Sequence, residues 1–379
     1  MLIAEHLPVP DSVRQVNYLR PVHGDAPVVI EALREWLSAA DEPAPLVVET
    51  SGSTGRPKRV ALSRRAVLAS VAASARRLGA EGRWLLALPI SYVAGLQVAC
   101  RSLVAGFDPV VVDGLGFETA LRGLDTPLVP RGYSTEATVP LFTSLVPTQL
   151  HRLLDDPAET AALASLHTVL LGGGPVDPGL RRRAEAAGIH VVATYGASET
   201  AGGCVYDGLP LDGVALALGT DGRIRIGGPT LFEGYVDDPE LTAQTLVDGW
   251  YVTSDAGRLD EDGRLHVLGR VDDVVISGGV NVPLPAVAAR LRQHPAVEHA
   301  EVLGVPDEEW GQRVVAFVVP STRWSSSAEE RGAYRDHLRS WVADAHPRSW
   351  APRQVVVLDA LPLLPNGKPD RRRLEELAR

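Results

Sequence analysis

Apolar positions along the first 200 residues keep two alternating rhythms. Between 27 and 40 they recur every three or four residues, through Ile30, Leu33, Trp36 and Leu37, which predicts a helix. Pro45-Leu-Val-Val-Glu-Thr50 predicts a short buried strand, followed by a Gly/Ser/Thr loop and a helix over 63–78 that starts at Ser63. The same reading predicts strands at 84–88, 139–146, 167–171 and 189–193, and helices near 93–105, 147–155 and 177–187. Strands alternating with helices at this spacing imply a parallel sheet covered by helices. Beyond about residue 200 the texture changes. Glycine turns separate short strands around 221–228 and 262–269, the mark of a compact β region. From 271 a smaller α+β segment is expected, with helices at 284–293 and 328–343 and strands within 301–319 and at 354–358; residues 320–328 are the most linker-like stretch. The expected fold class is therefore α/β. A large N-terminal domain (1–270) carries parallel helix-covered sheets and a small β region, and a smaller, mobile α+β domain (271–379) follows.

Composition narrows the function classes. A chain of 379 residues with 45% hydrophobic and 22% charged residues is an ordinary globular protein with room for two or three domains. A net charge of −10 argues against a nucleic-acid partner, which would need a broad basic face. The two cysteines, Cys100 and Cys204, make no disulfide framework and fit a reducing compartment; among apolar neighbours they read as small packed hydrophobes. No apolar run approaches the roughly 18 residues of a membrane span, and the N-terminus shows no basic patch followed by an apolar stretch. The expectation is a cytoplasmic protein; a homodimer is compatible with it.

One count changes the picture. Of 37 basic residues only two are lysines, Lys58 and Lys368. Where arginine has replaced lysine almost everywhere, a retained ammonium marks a place for a compact point charge on a phosphate. Lys58 closes the run Thr50-Ser51-Gly52-Ser53-Thr54-Gly55-Arg-Pro-Lys58, between a predicted strand and a predicted helix. Small residues let backbone N–H groups approach, and hydroxyls add donors, so this is a polyphosphate cradle. It is not the Walker A pattern, because Gly52 and Gly55 stand three apart and Pro57 precedes the lysine.

The run resembles the signature loop of the adenylate-forming superfamily of acyl-CoA synthetases, adenylation domains and luciferases. Five further motifs of that family follow in order: Leu171-Gly172-Gly173-Gly174-Pro175, Tyr195-Gly196-Ala-Ser198-Glu199-Thr200, Trp250-Tyr-Val-Thr-Ser-Asp255, Gly269-Arg270-Val-Asp272-Asp273 with Ser277-Gly278-Gly279, and Pro365-Asn-Gly-Lys368. Ser254 stands where the family has glycine. The resemblance implies ATP, Mg²⁺ and a thiol acceptor such as CoA. It implies that Lys368 bridges the substrate carboxylate and the α-phosphate, and that Lys58 with Thr50, Ser51, Ser53 and Thr54 holds the departing pyrophosphate. Glu199 would help hold Mg²⁺. Tyr195 would stack on adenine beside Gly172–Gly174, next to Gly196 and Ser198. Asp255 would bind the ribose hydroxyls, Arg270 ribose or phosphate. Asp272 would be the hinge, and Gly278 and Gly279 would line the thiol path.

Two stretches, Ala87–Gln97 and Tyr195–Gly208, resemble the short actinobacterial o-succinylbenzoate–CoA ligases of menaquinone biosynthesis, and a signature loop beginning as early as residue 50 fits that branch. Tyr92 stands where many relatives carry histidine and Ala286 where many carry glutamate. With both lysines committed, the second carboxylate of such a substrate would need other donors, for which Tyr92, Ser144 and Thr148 are candidates. The alternatives are a CoA ligase for another small or aryl acid, a stand-alone adenylation enzyme loading a carrier protein, and a non-catalytic nucleotide-binding relative. Arg181–Arg183 and Arg371–Arg373 read as solvated charge runs.

Overall fold

The structure is a computed structural model that describes residues 24–50, 57–112, 114–124, 139–321, 328–364 and 367–378, with the backbone alone at 272, 328 and 329. The chain is mixed α/β and divides into two compact units. One comprises residues 1–217, 225–252 and 261–265; the other comprises 218–224, 253–260 and 266–379. Among the described residues no helix is long and apolar enough to cross a membrane.

The first unit is built on a seven-stranded sheet. Its order is Val110–Val111, Arg83–Leu86, Leu141–Leu145, Thr168–Leu171, Val191–Ala197, Gly202–Tyr206, Leu209–Pro210. The first five strands are parallel, and each of the last two pairs antiparallel with the strand before it. The parallel strands are short and apolar on both faces; every residue of Thr168–Leu171 is buried, as expected where helices cover both sides. Those helices begin at readable signals. Ser63 accepts from the Ala66 N–H (3.3 Å) and starts Arg64–Leu78. Asp156-Pro157 and Asp177-Pro178 each place a capping carboxylate before a proline whose missing N–H costs nothing in the first turn. Leu85, Leu145, Leu150, Leu163, Val169 and Leu171 form the core between sheet and helices.

The reading from sequence sent the glycine loop straight into the helix at 63. Instead, Lys58–Leu62 forms a strand, the middle one of a three-stranded sheet between Leu46–Thr50 and Gly234–Tyr235. The short helices Phe117–Arg122 and Pro157–Ala164 were also absent from that reading.

In the second unit, Val297–Asp307 and Gly311–Pro320 form a long antiparallel pair, flanked by the hairpin 274–283 and, in parallel, by Gln354–Val357. Two cores lie on its opposite faces. Val302, Val314, Ala316 and Val318 pack with Leu284–Arg292 and Ala328–Ala345, through Val287, Leu291, Leu338 and Val342. Leu303, Val305, Val315 and Phe317 pack with Leu374 and Ala378 of a C-terminal helix, Arg371–Ala378.

That helix corrects the solvated reading of the run at Arg371 alone, since Arg372 and Arg373 are exposed. Arg371 donates two parallel bonds to Asp273, at 2.7 and 2.8 Å. The pair neighbours Glu301, whose carboxyl burial pushes above the usual range while Arg292 and Arg371 pull it back. In Arg181–Arg183 the outer two are likewise engaged, Arg181 with Asp207 (2.6 Å) and Arg183 with Asp155 and the Leu154 carbonyl (both 2.7 Å), while Arg182 is exposed as the reading expects. Arg371→Ala is expected to lower unfolding stability by about 1–3 kcal/mol, because it strands a mostly buried carboxylate beside a second one. Arg371→Lys should recover only part, since a point ammonium cannot reproduce the fork. Denaturant unfolding of the full chain measures both; a change below about 0.5 kcal/mol, typical of a surface residue, would return Arg371 to the solvated class.

Candidate active site

Most candidate residues of the first unit stand at one edge of its parallel sheet. Tyr92 follows the strand Arg83–Leu86; Ser144 and Thr148 end and follow Leu141–Leu145; Gly172–Gly174 follow Thr168–Leu171; Tyr195, Gly196, Ser198 and Glu199 end and follow Val191–Ala197. These four strands are neighbours in the sheet and parallel, so their carboxyl ends share an edge. In α/β sheets that edge is where ligands bind, because loops there are free to carry chemistry while the strands hold them.

Side chains and backbone stitch the edge together. Gln149 donates to the Ala87 carbonyl (2.9 Å) and accepts from the Val146 N–H (3.0 Å), while the Gly172 N–H donates to Leu145 (3.1 Å). A side chain at Gly172 would put its first carbon 2.3 Å from Thr194 Oγ1, so only glycine lets this loop lie against the next strand. Tyr92 is the half-buried N-cap residue of Val93–Val104, and Ser144 is buried. From the same helix, Gln97 donates to the Ala201 carbonyl (2.8 Å) in the turn after Glu199.

Lys58 and Glu199 are brought together by a residue that the sequence reading missed. The register sets Lys58 opposite Thr50, so the two ends of the glycine loop are pinned across a ladder. Residues 51–56, including Ser51, Gly52, Ser53, Thr54 and Gly55, lie outside the described residues. Tyr235 pairs with Val60, two positions along from Lys58, and therefore shares its face of the sheet. The Lys58 ammonium lies 5.2 Å from the centre of the Tyr235 ring. The Tyr235 hydroxyl donates to Glu199 Oε1 at 2.7 Å. Glu199 is only 6% exposed, and its carbonyl accepts the Phe232 N–H at 3.0 Å. Burial, then the Glu199 charge, pushes the Tyr235 phenol well above its usual range, so it stays a donor. No local pattern marks Tyr235: its partners are 36 and 177 positions away. An aromatic directly after Gly234 is its only trace.

The remaining candidates belong to the second unit. Asp255 lies on Trp250–Leu259, its N–H donating to Thr253 Oγ1 (3.1 Å). Arg270 precedes the 3₁₀ turn Val271–Asp273, which carries the Asp272 backbone. Gly278 and Gly279 form a two-residue hairpin loop, Ser277 pairing with Val280, and both have positive φ (57° and 80°), as a type I′ turn requires. Gly278 also packs flush on Trp310, whose ring a side chain would meet at 2.6 Å; a side chain at Gly279 would meet nothing within 4 Å. Lys368 sits in a hairpin-like loop closed by Leu364 N–H to Lys368 O and Asp370 N–H to Pro362 O, both 2.8 Å. Pro365 and Asn366 lie outside the described residues. Cys100 and Cys204 are buried, each thiol pushed up to about 12 by burial, which leaves them inert as nucleophiles.

A buried carboxylate, a lysine at the end of a glycine loop and glycine turns along a carboxyl edge together define a nucleotide-activating enzyme, and the chain belongs to the AMP-binding enzyme family, matching its main domain over residues 39–236 and its C-terminal domain over 286–368. Within that family it is 44% identical over 333 residues to the Mycobacterium tuberculosis protein named "Probable 2-succinylbenzoate–CoA ligase", covering 87% of this chain and 84% of that one. To the 2-succinylbenzoate–CoA ligase of Geobacillus kaustophilus it is 34% identical, covering 87% and 69%. The o-succinylbenzoate CoA synthetase of Bacillus subtilis, solved with its acyl-adenylate intermediate, superimposes with a TM-score of 0.69 at 28% identity, covering 87% and 68%.

Proposed function

We propose that the chain is an ATP-dependent acid–CoA ligase that converts o-succinylbenzoate to an acyl-adenylate and passes the acyl group to CoA, a step of menaquinone biosynthesis carried out in the cytoplasm. The observation that carries the reading is the Lys58–Tyr235–Glu199 cluster beside the carboxyl edge of the sheet, in a chain whose relatives bear that name. A carboxylate attacking the α-phosphorus of ATP is an anion approaching an anion, so positioning and charge neutralisation dominate. Lys368 screens the substrate carboxylate and α-phosphate; Lys58 and Thr50, with Ser51, Ser53 and Thr54, hold the leaving pyrophosphate. Glu199 fits Mg²⁺: it is a hard oxygen donor, buried, with Oε1 engaged by Tyr235 and Oε2 left to offer. When bound, that ion neutralises phosphate charge. Tyr195 and Gly172–Gly174 seat adenine beside Gly196 and Ser198, Asp255 and Arg270 the ribose side, and Gly278 and Gly279 the thiol arm. The proposed boundary at 270/271 puts the hinge at Asp272. A homodimer is part of this reading, and light scattering tests it.

Pyrophosphate release over a panel of aryl and small acids, with and without CoA, tests the assignment. Release specific to o-succinylbenzoate and completed by CoA is expected. Strong activity on another acid, or transfer only to a carrier protein, would replace it. Within the same assay, Tyr92→Phe is expected to raise KM for o-succinylbenzoate roughly 10- to 150-fold, the worth of one hydrogen bond to a charged group, with KM for ATP unmoved. An unchanged KM would mean that the ring packs on the pocket wall and its hydroxyl faces water.

A further inference from the structure

We propose that Tyr235 is a positioning residue for nucleotide activation: its hydroxyl sets the Glu199 carboxylate for Mg²⁺, and its ring sets Lys58 for the phosphate chain. The proposal rests on the ligase reading above and adds a residue to it.

Tyr235 is in contact with both groups. Its own placement is over-determined. Its N–H donates to Thr242 Oγ1 (2.8 Å), and its ring meets Phe232 edge-on, centroids 5.0 Å apart. Phe232 in turn binds the Glu199 carbonyl, so Glu199 is gripped at main chain and side chain by one four-residue segment. Gly234, inside that segment, lies so close to Thr242 that a first side-chain carbon would sit 2.9 Å from its methyl group. The segment therefore has no slack.

The chemistry follows from this geometry. A buried carboxylate rotates freely about its last bond unless one oxygen is held. With Oε1 taken by the phenol, the lone pairs of Oε2 have one direction, and a cation meets a preset ligand. The ring does the same for Lys58. An ammonium near an aromatic face is drawn to it without being neutralised, unlike one paired with a carboxylate. Lys58 thus keeps its full charge for a polyphosphate, and its flexible stem loses freedom before the ligand arrives.

The two functions separate by substitution. Tyr235→Phe keeps the ring and loses the hydroxyl; Tyr235→Leu loses both. Calorimetric titration with ATP, once in EDTA and once in excess Mg²⁺, reads metal-dependent and metal-free affinity independently of turnover. Tyr235→Phe is expected to reduce the gain in affinity conferred by Mg²⁺ by about tenfold or more. Tyr235→Leu should in addition weaken ATP in EDTA by roughly two- to fivefold, the worth of an exposed cation–π contact. Because the hydroxyl acts through Glu199, Glu199→Gln should abolish most of the gain, and adding Tyr235→Phe to it should change the gain no further. Thermal unfolding of each variant is recorded alongside. A Tyr235→Phe protein that melts lower but keeps the wild-type Mg²⁺ gain would overturn the proposal, leaving Tyr235 a packing residue. Additive losses in the double variant would also overturn it. A wild-type protein whose ATP affinity ignores Mg²⁺ would overturn the ligase reading and this proposal with it, a result distinct from a gain that survives in the variant alone.

Discussion

Lys368→Ala is expected to cut acyl-adenylate formation by about 10²–10³-fold or more, while thioester formation from a supplied acyl-adenylate persists. In the proposed reaction the first step brings two anions together, and Lys368 is proposed as the preorganised charge at the point where they meet; removing one such group costs on that scale. The second step starts from a mixed anhydride whose phosphate charge is already partly spent and whose electrophilic carbon needs no such bridge. The substitution leaves in place the main-chain closure of the loop. Its closing bonds, Leu364 to Lys368 and Asp370 to Pro362, are main-chain bonds, and its anchors, Leu374 and Ala378, are buried in the core behind it. The fold of the second unit should therefore survive the loss of the side chain. Pyrophosphate release reports the first step, and CoA consumption from synthetic acyl-adenylate the second. Equal losses in both would show that Lys368 serves the loop and not the chemistry.

Gly279→Leu is expected to do the reverse: about a 10²-fold loss in thioester formation, the scale of a misplaced reacting group, with adenylation retained. The structure sharpens this test. Both glycines of the turn have positive φ, so leucine at either strains the backbone. At 278 it would also strike the Trp310 ring, whereas at 279 it points into open space. Gly279→Asn therefore serves as the control, since asparagine tolerates the left-handed region and is small. If Gly279→Asn keeps both half-reactions and Gly279→Leu loses only the second, bulk in the thiol path is the cause. If both variants lose both activities, the glycines serve only the turn.

Much of the site was legible in the chain. Lys58 and Lys368 stood out because a lysine-poor composition removed the background. The glycine loops at 172–174 and 278–279 were legible because glycine is demanded by backbone geometry that few residues share, and the structure supplies that geometry at Gly172 and at the 278–279 turn. The βα alternation was legible because it depends on local periodicity and on caps such as Ser63 and Asp177, which act within three residues. The helix read from Ser63 begins at Arg64, with Ser63 as its N-cap.

What escaped the sequence has a common physical cause: the partner is remote. The strand Lys58–Leu62 has an ordinary local pattern, and only its neighbours at 46–50 and 234–235 make it a strand. The run Val314–Val319 is continuously apolar, which announces burial on both faces, yet nothing local says what covers the second face. The cover is the helix Arg371–Ala378, whose opening arginines look like a solvated run until Asp273, 98 positions earlier, accepts two bonds from the first of them. Tyr235 is the same case at the site itself. Sequence alone determined the family and its class of chemistry, and it singled out the two lysines proposed to serve it, because those depend on residue type at short spacing. Only the tertiary structure decided what holds Glu199 and Lys58 in place, because a hydrogen bond across 36 positions and a cation–ring contact across 177 exist only once the three-stranded sheet that carries Lys58 and Tyr235 packs beside the turn that follows Val191–Ala197 of the seven-stranded sheet.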